Sequence, residues 1–286
     1  MLLILIPVSI IAIIALFTDS AATALRVLNT GVSLTNSYNI TRDIPYGIEP
    51  WQKLDIYRAQ EADENTPVIV FFFGGGWSWG DKKYFEFVAD SFVRKGYTVA
   101  IPNYVLYPKG KFPQFVLDGA MAIAWVKNNI DKYQGSADNV FLVGHSAGAY
   151  IAAMAATDER YLQQAGEDLL FIKGVAGIAG PYNFTPKAQE YVAVFGKENF
   201  ELMKVANHMT GSEPPMILLH GNGDTTVGRF NQETMATALA QENVKHKSVL
   251  YGDDITHTKI LLKLHPWFAG KVNVTEDIDN FFKTLD

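Results

Sequence analysis

The sequence predicts one α/β domain built on a mostly parallel sheet with helices on both faces. Short apolar runs alternate along the chain with helix-like stretches, and the later runs are continuously apolar, as expected of parallel strands covered on both sides. The chain has 286 residues, of which 48% are hydrophobic, so it is long enough to bury one large core.

The order of the predicted elements supports this class of fold. Strands are predicted at 53–58, 67–73, 97–101, 140–143, 172–178, 216–220 and 247–251. Helices are predicted between or after them, at 82–95, 114–129, 147–157, 230–242 and 276–285. The connection at about 181–215 is longer than usual, which is typical of a lid or binding loop.

Composition excludes several kinds of function. The formal net charge is -6 and no cluster of Lys and Arg is present, so no nucleic-acid partner is expected. The chain has no cysteine, and its six histidines lack the H-E-x-x-H spacing of zinc hydrolases. We therefore expect chemistry based on oxygen and imidazole, with neither a metal nor another cofactor.

The N-terminal residues 1–24 form a separate hydrophobic leader in this interpretation, followed by a catalytic domain at 25–286. Residues 1–17 contain no charged side chain. As a helix, about 16 apolar residues would reach about 24 Å, which is longer than the apolar region of a typical signal peptide and shorter than a helix that spans a membrane. An A-x-A pattern at 22–24 fits a cleavage site. Export to the periplasm or medium, membrane association through residues 1–17, and a buried helix of a cytoplasmic protein all remain open.

A nucleophile is predicted from the sequence Gly144-His145-Ser146-Ala147-Gly148. It follows an apolar run and precedes a helix-forming stretch, which is the strand-turn-helix context that G-x-S-x-G requires. Glycines on both sides of the serine permit a crowded, strained turn that presents the hydroxyl above the sheet. Ser146 is therefore the predicted nucleophile.

A serine nucleophile needs a base, and the base needs a carboxylate that orients it. Asp224 follows the strand predicted at 216–220, and His257 follows the last predicted strand. The chain order serine, acid, histidine is the one found in hydrolases whose nucleophile lies in a G-x-S-x-G turn between a strand and a helix. Asp253 and Asp254 are alternative acids, because they lie close to His257 in sequence.

Three glycines follow the strand predicted at 67–73. Backbone amides are preorganised donors for the negative charge of a tetrahedral intermediate, and side chains would block their approach. We expect the oxyanion hole to be formed by the amides of Gly75, Gly76 and Ala147. Aromatic residues close to this loop and in the 181–215 segment are candidate substrate contacts: Trp77, Tyr182 and Phe184.

These motifs together resemble the α/β-hydrolases of the carboxylesterase and lipase type that have an HGGGW-like oxyanion loop. The resemblance is closest to the subgroup with feruloyl-esterase-like and kynurenine-formamidase-like members, and it extends from "IPYGIEPWQKLDIY" through "GGGWSWGDK" and "GHSAGAY" to "GNGDTTV" and His257. It implies an α/β-hydrolase fold with Ser146, Asp224 and His257 as the triad. One residue departs from the pattern: Phe73 stands where the family has a histidine.

The sequence thus predicts a serine hydrolase that cleaves small carboxylic esters through an acyl-enzyme intermediate. An amide or formamide hydrolase is an alternative, because the same groups cleave both bonds. A binding protein that has this fold and has lost turnover is another alternative.

Overall fold

A computed structural model describes residues 21–35 and 37–285. Its centre is an eight-stranded sheet with the strand order β1-β2-β4-β3-β5-β6-β7-β8. The pairs β1/β2 and β2/β4 are antiparallel, and all later pairs are parallel. The strands are β1 (Asn39–Pro45), β2 (Lys53–Arg58), β3 (Val68–Phe72), β4 (Thr98–Pro102), β5 (Val140–His145), β6 (Ile172–Ile178), β7 (Met216–Gly221) and β8 (His246–Tyr251).

Helices cover both faces of this sheet. The described α-helices are α1 (Ala21–Ser33), α2 (Glu86–Val93), α3 (Gln114–Asn129), α4 (Ala147–Thr157), α5 (Glu159–Gln164), α6 (Gln189–Phe195), α7 (Phe230–Gln241), α8 (His257–Leu262), α9 (Pro266–Ala269) and α10 (Val274–Phe282). On one face α4 packs against the central strands and is covered by α3 and α5, whereas α2 and α10 lie on the other face. The α/β-hydrolase fold predicted from the sequence is confirmed.

The predicted elements agree best with the structure in the buried, central part of the domain. The bounds of β2, β6, α3 and α4 match the prediction residue for residue. The first strand, Asn39–Pro45, is missing from the prediction because this antiparallel edge strand is mostly exposed and polar and has no regular alternation. Its pairing with β2 is also interrupted between Thr41 and Ile44.

The helix α1 crosses the predicted boundary between leader and domain. It begins at Ala21, so the proposed cleavage pattern at 22–24 lies in its first turn, while residues 1–20 lie outside the described residues. The Asn29 side chain accepts a hydrogen bond from the Phe87 amide (3.1 Å) and donates one to the Lys83 carbonyl (2.9 Å). These bonds attach α1 to the start of α2. No helix among the described residues is both long and apolar enough to cross a membrane.

Candidate active site

The predicted site residues all lie where strands of the sheet end. The glycine loop follows β3, Ser146 follows β5, Asp224 follows β7 and His257 follows β8. These four strands run parallel, so their carboxyl ends meet at one edge, which is where ligands bind in open α/β sheets. Residues far apart in sequence therefore share one site.

Ser146 occupies a sharp turn between β5 and α4. Its φ is 54° and its ψ is -122°, a conformation that side chains rarely adopt. A Cβ atom on Gly144 would lie 2.3 Å from the Gly148 oxygen, and one on Gly148 would lie 2.0 Å from the Phe72 oxygen. Both glycines of the G-x-S-x-G motif are therefore required by close backbone packing. The amide of Ser146 donates to the Ile178 carbonyl at 2.8 Å, which fixes the strained turn to β6.

Asp224 is held by its own loop with one carboxylate oxygen left for another partner. Its Oδ1 accepts hydrogen bonds from the amides of Thr226 (2.8 Å) and Val227 (2.9 Å). A Cβ atom on Gly223 would lie 2.2 Å from the Asp253 oxygen, so the acid loop packs backbone to backbone against the loop that precedes His257. Oδ2 is therefore oriented toward that histidine.

His257 bridges the predicted acid and the predicted nucleophile. Its Nδ1 lies 2.7 Å from Asp224 Oδ2, and its Nε2 lies 2.8 Å from Ser146 Oγ. Burial alone would raise the pKa of Asp224, but the hydrogen bonds from His257 and the Val227 amide outweigh burial and lower that pKa. An ionised Asp224 can only accept, so Nδ1 carries the proton and Nε2 accepts from the serine hydroxyl.

The other candidate acids lie apart from this chain of hydrogen bonds. Asp253 is exposed and accepts a hydrogen bond from Asn222, and Asp254 is an exposed partner of Lys259. His220 is buried below Asp224, with Nε2 3.9 Å from Oδ2, and burial lowers its pKa. The structure thus brings Asp224, and neither Asp253 nor Asp254, to His257.

The glycine loop passes directly beside the nucleophile. A Cβ atom on Gly74 would lie 2.9 Å from the Ser146 Cβ, and Gly75 and Gly76 have φ values of 135° and 58°. Within the described residues, the amides of Gly75, Gly76 and Ala147 donate to no acceptor. Ala147 also begins α4, so the positive end of that helix faces the same space. This arrangement fits the predicted oxyanion hole.

Phe73, which stands in place of the family histidine, is fully buried in an aromatic stack. Its ring stacks on Phe85 (centroids 5.1 Å apart) and on Tyr104 (4.7 Å). The Tyr104 hydroxyl donates to the Phe73 carbonyl at 2.7 Å. Apolar packing and one backbone hydrogen bond therefore anchor the start of the glycine loop.

A cavity of about 970 Å³ lies over Ser146 and His257. Of the predicted substrate contacts, Trp77 and Phe184 line it, and their rings stack 6.1 Å apart. Trp77 is nevertheless 2% exposed, because other aromatic rings enclose it. The prediction for Tyr182 is not supported by its position, since this residue is buried beside Gly177 and Gly180 and does not line the cavity.

Much of the cavity wall is absent from the sequence-based prediction. The helix α1 contributes Leu25 and Leu28, and the C-terminal helices contribute Leu261, Trp267 and Phe268. The apolar run before α1 makes the start of this helix resemble part of a leader, and α8 and α9 are too short to give a helical pattern. The first part of the 181–215 segment also contributes to the wall, where it adds Tyr191.

Fold and geometry place the chain in the α/β-hydrolase class. A truncated carbohydrate esterase from gut microbiota has a similar structure, with a TM-score of 0.75 at 16% sequence identity, covering 88% of this chain and 98% of that one. The protein-family profile BD-FAE matches residues 54–239, and the chain belongs to this family. This result confirms the family resemblance that the motifs indicated.

Among characterised relatives, the chain is similar to the isoprenylcysteine alpha-carbonyl methylesterase of Arabidopsis thaliana. The two are 30% identical over 274 residues, which cover 88% of this chain and 64% of the plant protein. The kynurenine formamidase of Danio rerio is 30% identical over 166 residues, which cover 58% of this chain and 54% of the fish protein. The chain thus spans less than two thirds of the length of either relative.

Proposed function

We propose that this chain is a serine carboxylesterase that cleaves small carboxylic esters through an acyl-enzyme intermediate. The proposal is carried by the hydrogen-bonded chain from Ser146 through His257 to Asp224, with distances of 2.8 and 2.7 Å. This chain of bonds lies at the wall of a cavity large enough for a small-molecule ester. Activation of a serine hydroxyl by a base, which a carboxylate orients, is what acyl transfer requires.

The reaction follows from the positions of these groups. Ser146 Oγ forms a bond to the carbonyl carbon of the ester while His257 Nε2 takes the hydroxyl proton, and the carbonyl oxygen becomes an oxyanion beside the amides of Gly75, Gly76 and Ala147. The carbon–oxygen bond to the alcohol then breaks, and His257 returns its proton to the departing oxygen. Water repeats the sequence, which releases the acid and restores the serine.

The relatives support the choice of an ester bond and suggest which substrates to test. The plant relative is named a methylesterase, so methyl esters are among the first substrates to test. The fish relative is named a formamidase, and this similarity favours a formamide hydrolase as a second candidate function. The same serine, base and oxyanion donors would serve both reactions, so relative values of kcat/KM on matched esters and formamides distinguish them.

The apolar N-terminal segment supports a further part of the proposal. Residues 1–17 carry no charged side chain. An apolar run of about 16 residues favours attachment to a membrane or export over exposure to water at the surface of a protein. We include an N-terminal membrane association in the proposed function.

The test of the hydrolase is labelling with a fluorophosphonate, followed by mass spectrometry. We expect one adduct, on Ser146, and hydrolysis of a soluble activated ester by the same preparation. Ser146→Ala should abolish both, whereas the control Ser78→Ala should retain both, because the Ser78 side chain is exposed and lies outside the hydrogen-bonded chain. A protein that binds esters but acquires no adduct would instead be a binding protein with this fold.

A further inference from the structure

The cavity over Ser146 is bordered by exposed aromatic side chains. Trp79, Phe230 and Trp267 all line the cavity, and they are 39%, 51% and 36% exposed. These three rings therefore lie where the cavity wall meets solvent, and we call this place the cavity mouth. Exposed Trp and Phe at one place on a surface are typical of a face that contacts apolar material. Tryptophan in particular is enriched where a protein meets the boundary between lipid and water.

Basic groups accompany this aromatic rim. No Asp or Glu lines the cavity within the described part of the chain, whereas three lysines do: Lys187, Lys259 and Lys263. The guanidinium of Arg26 lies 5.6 Å from the ring of Tyr84, which in turn stacks on Trp79 at 5.5 Å. Basic side chains thus outnumber acidic ones on the cavity wall of a protein whose net charge is -6, and of the three lysines Lys259 is paired with Asp254. Basic side chains close to a membrane are attracted to anionic lipid headgroups.

The first described helix forms part of the cavity wall. Leu25 lies in α1 and lines the cavity, and Ala21 begins that helix. The four steps from Ala21 to Leu25 span about 6 Å in a helix. The described start of α1 is therefore about 6 Å along the helix from the cavity wall, and the uncharged run 1–17 precedes it in sequence.

We propose that the cavity mouth docks on a lipid bilayer and admits amphiphilic esters whose apolar chain passes from the lipid into the cavity. This inference rests on the proposed esterase function and extends its substrates from small esters in water to amphiphilic esters held in a bilayer. The apolar wall formed by Leu25, Leu28, Leu261 and Phe268 can hold such a chain while the ester group lies at Ser146. A mouth at the membrane surface lets the chain enter without exposure to water, which would cost about 0.8 kcal/mol per CH₂ group.

Fluorescence quenching tests the docked orientation directly. The full chain is incorporated into vesicles of equal parts phosphatidylcholine and phosphatidylglycerol, with and without bromine on the acyl chains. We expect brominated lipid to quench the tryptophan emission, and the double variant Trp79→Phe/Trp267→Phe to lose more than about half of that quenching. Trp125→Phe is the matched control, because Trp125 lies near the carboxyl end of α3, towards the opposite edge of the sheet. Equal quenching in the double variant and the control, or protein that stays in solution, overturns the proposal.

Activity on two substrates provides a second test. Phe230→Glu introduces a charge at the mouth and is compatible with the fold, because an acidic residue is favourable in the first turn of α7. We measure kcat/KM on a long-chain ester in vesicles and on a soluble acetate ester. We expect Phe230→Glu to lower the first value relative to the second by about tenfold or more. Leu170→Glu is the control. Leu170 is 83% exposed, but it precedes β6 and so lies at the amino ends of the parallel strands, opposite the end that carries the site.

Failure of the proposed esterase function and failure of the proposed membrane docking give different results. If the wild-type chain neither labels at Ser146 nor hydrolyses the soluble ester, the proposed function is wrong. If it hydrolyses the soluble ester but Phe230→Glu leaves the ratio unchanged, or lowers it no more than Leu170→Glu does, only the membrane-docked mouth is wrong.

Discussion

Nε2 of His145 lies 3.0 Å from the main-chain oxygen of His257, so the residue before the proposed nucleophile holds the backbone of the proposed base. The centroids of the two imidazole rings are 4.9 Å apart. Burial, assisted by the neighbouring His257, lowers the pKa of His145 to about 3. His145 is therefore neutral near pH 7, and because a carbonyl only accepts, its proton lies on Nε2.

Loss of this hydrogen bond should reduce catalysis without removing any reacting group. We expect His145→Leu to lower kcat by about tenfold to a hundredfold, because a small displacement of His257 disturbs its alignment with Ser146. His145→Gln should retain most of the activity, since its amide nitrogen can reach the same carbonyl. The measurement is kcat and KM on one soluble ester, with thermal unfolding as the check on folding. Equal kcat values in wild type and His145→Leu would contradict a positioning role.

The same buried histidine should make stability depend on pH. Unfolded histidine binds a proton below about pH 6.5, whereas His145 in the folded protein binds one only near pH 3. Between these values the unfolded state binds more protons, so the free energy of unfolding falls as pH falls, by up to about 1.4 kcal/mol per pH unit. Urea unfolding of wild type and His145→Gln from about pH 7 to about pH 5 should show a shallower decline in the variant. Parallel profiles would contradict a lowered pKa of His145 in the folded protein.

The assignment of the acid can be tested by a single oxygen-to-nitrogen change. In Asp224→Asn the amide oxygen can still accept from Thr226 and Val227, and the amide NH₂ then faces His257 Nδ1. That contact favours the tautomer with the proton on Nε2, which cannot accept from Ser146. We expect kcat to fall by about 10⁴ while the fold is retained. Asp253→Asn is the control and should change kcat by no more than about twofold, because Asp253 does not contact His257.

The glycine loop should tolerate no side chain at Gly75. A Cβ atom there would lie 1.9 Å from the Trp79 carbonyl oxygen, and the φ of 135° is itself unfavourable for alanine. Gly75→Ala must therefore displace the loop, and we expect an activation barrier higher by about 3 kcal/mol or more. Gly96→Ala is the matched control, since Gly96 has a φ of 91° and a Cβ atom added to it would meet nothing within 4 Å. It should lose about 1 kcal/mol of stability and keep its kcat.

The sequence predicted the site more completely than the cavity. G-x-S-x-G, the acid after β7 and the late histidine could be singled out as candidates because each proposed chemical role requires a particular residue type next to a strand end. Leu25 and Trp267 had no such signal, since an apolar residue looks the same whether it lines a cavity or packs in a core. The apolar face of α1 was also hard to recognise, because only three residues separate this helix from the uncharged, mostly apolar run 1–17. Phe73 is visible in the sequence as a departure from the family, but only its neighbours in space explain it.

The aromatic stack around Phe73 holds the start of the glycine loop. Phe73→His restores the family residue, but the ring lies between Phe85 and Tyr104 with no exposed surface. An imidazole there would bury polar nitrogens among aromatic rings, so we expect a loss of about 1 to 3 kcal/mol in the free energy of unfolding. The change in kcat should be less than about tenfold, because the residue supports the glycine loop and does not touch the reacting atoms.

Tyr104→Phe separates packing from hydrogen bonding in this anchor. It retains the stacked ring and removes the hydroxyl that donates to the Phe73 carbonyl at 2.7 Å. Because it leaves that buried carbonyl without its donor, we expect it to lower the free energy of unfolding by about 1 to 3 kcal/mol. Unfolding in urea and kcat on one activated ester are measured for both variants. A rise in kcat of about a hundredfold in Phe73→His would mean that the native loop is poorly organised for stabilising an oxyanion, and a binding protein of this fold would then be the better interpretation.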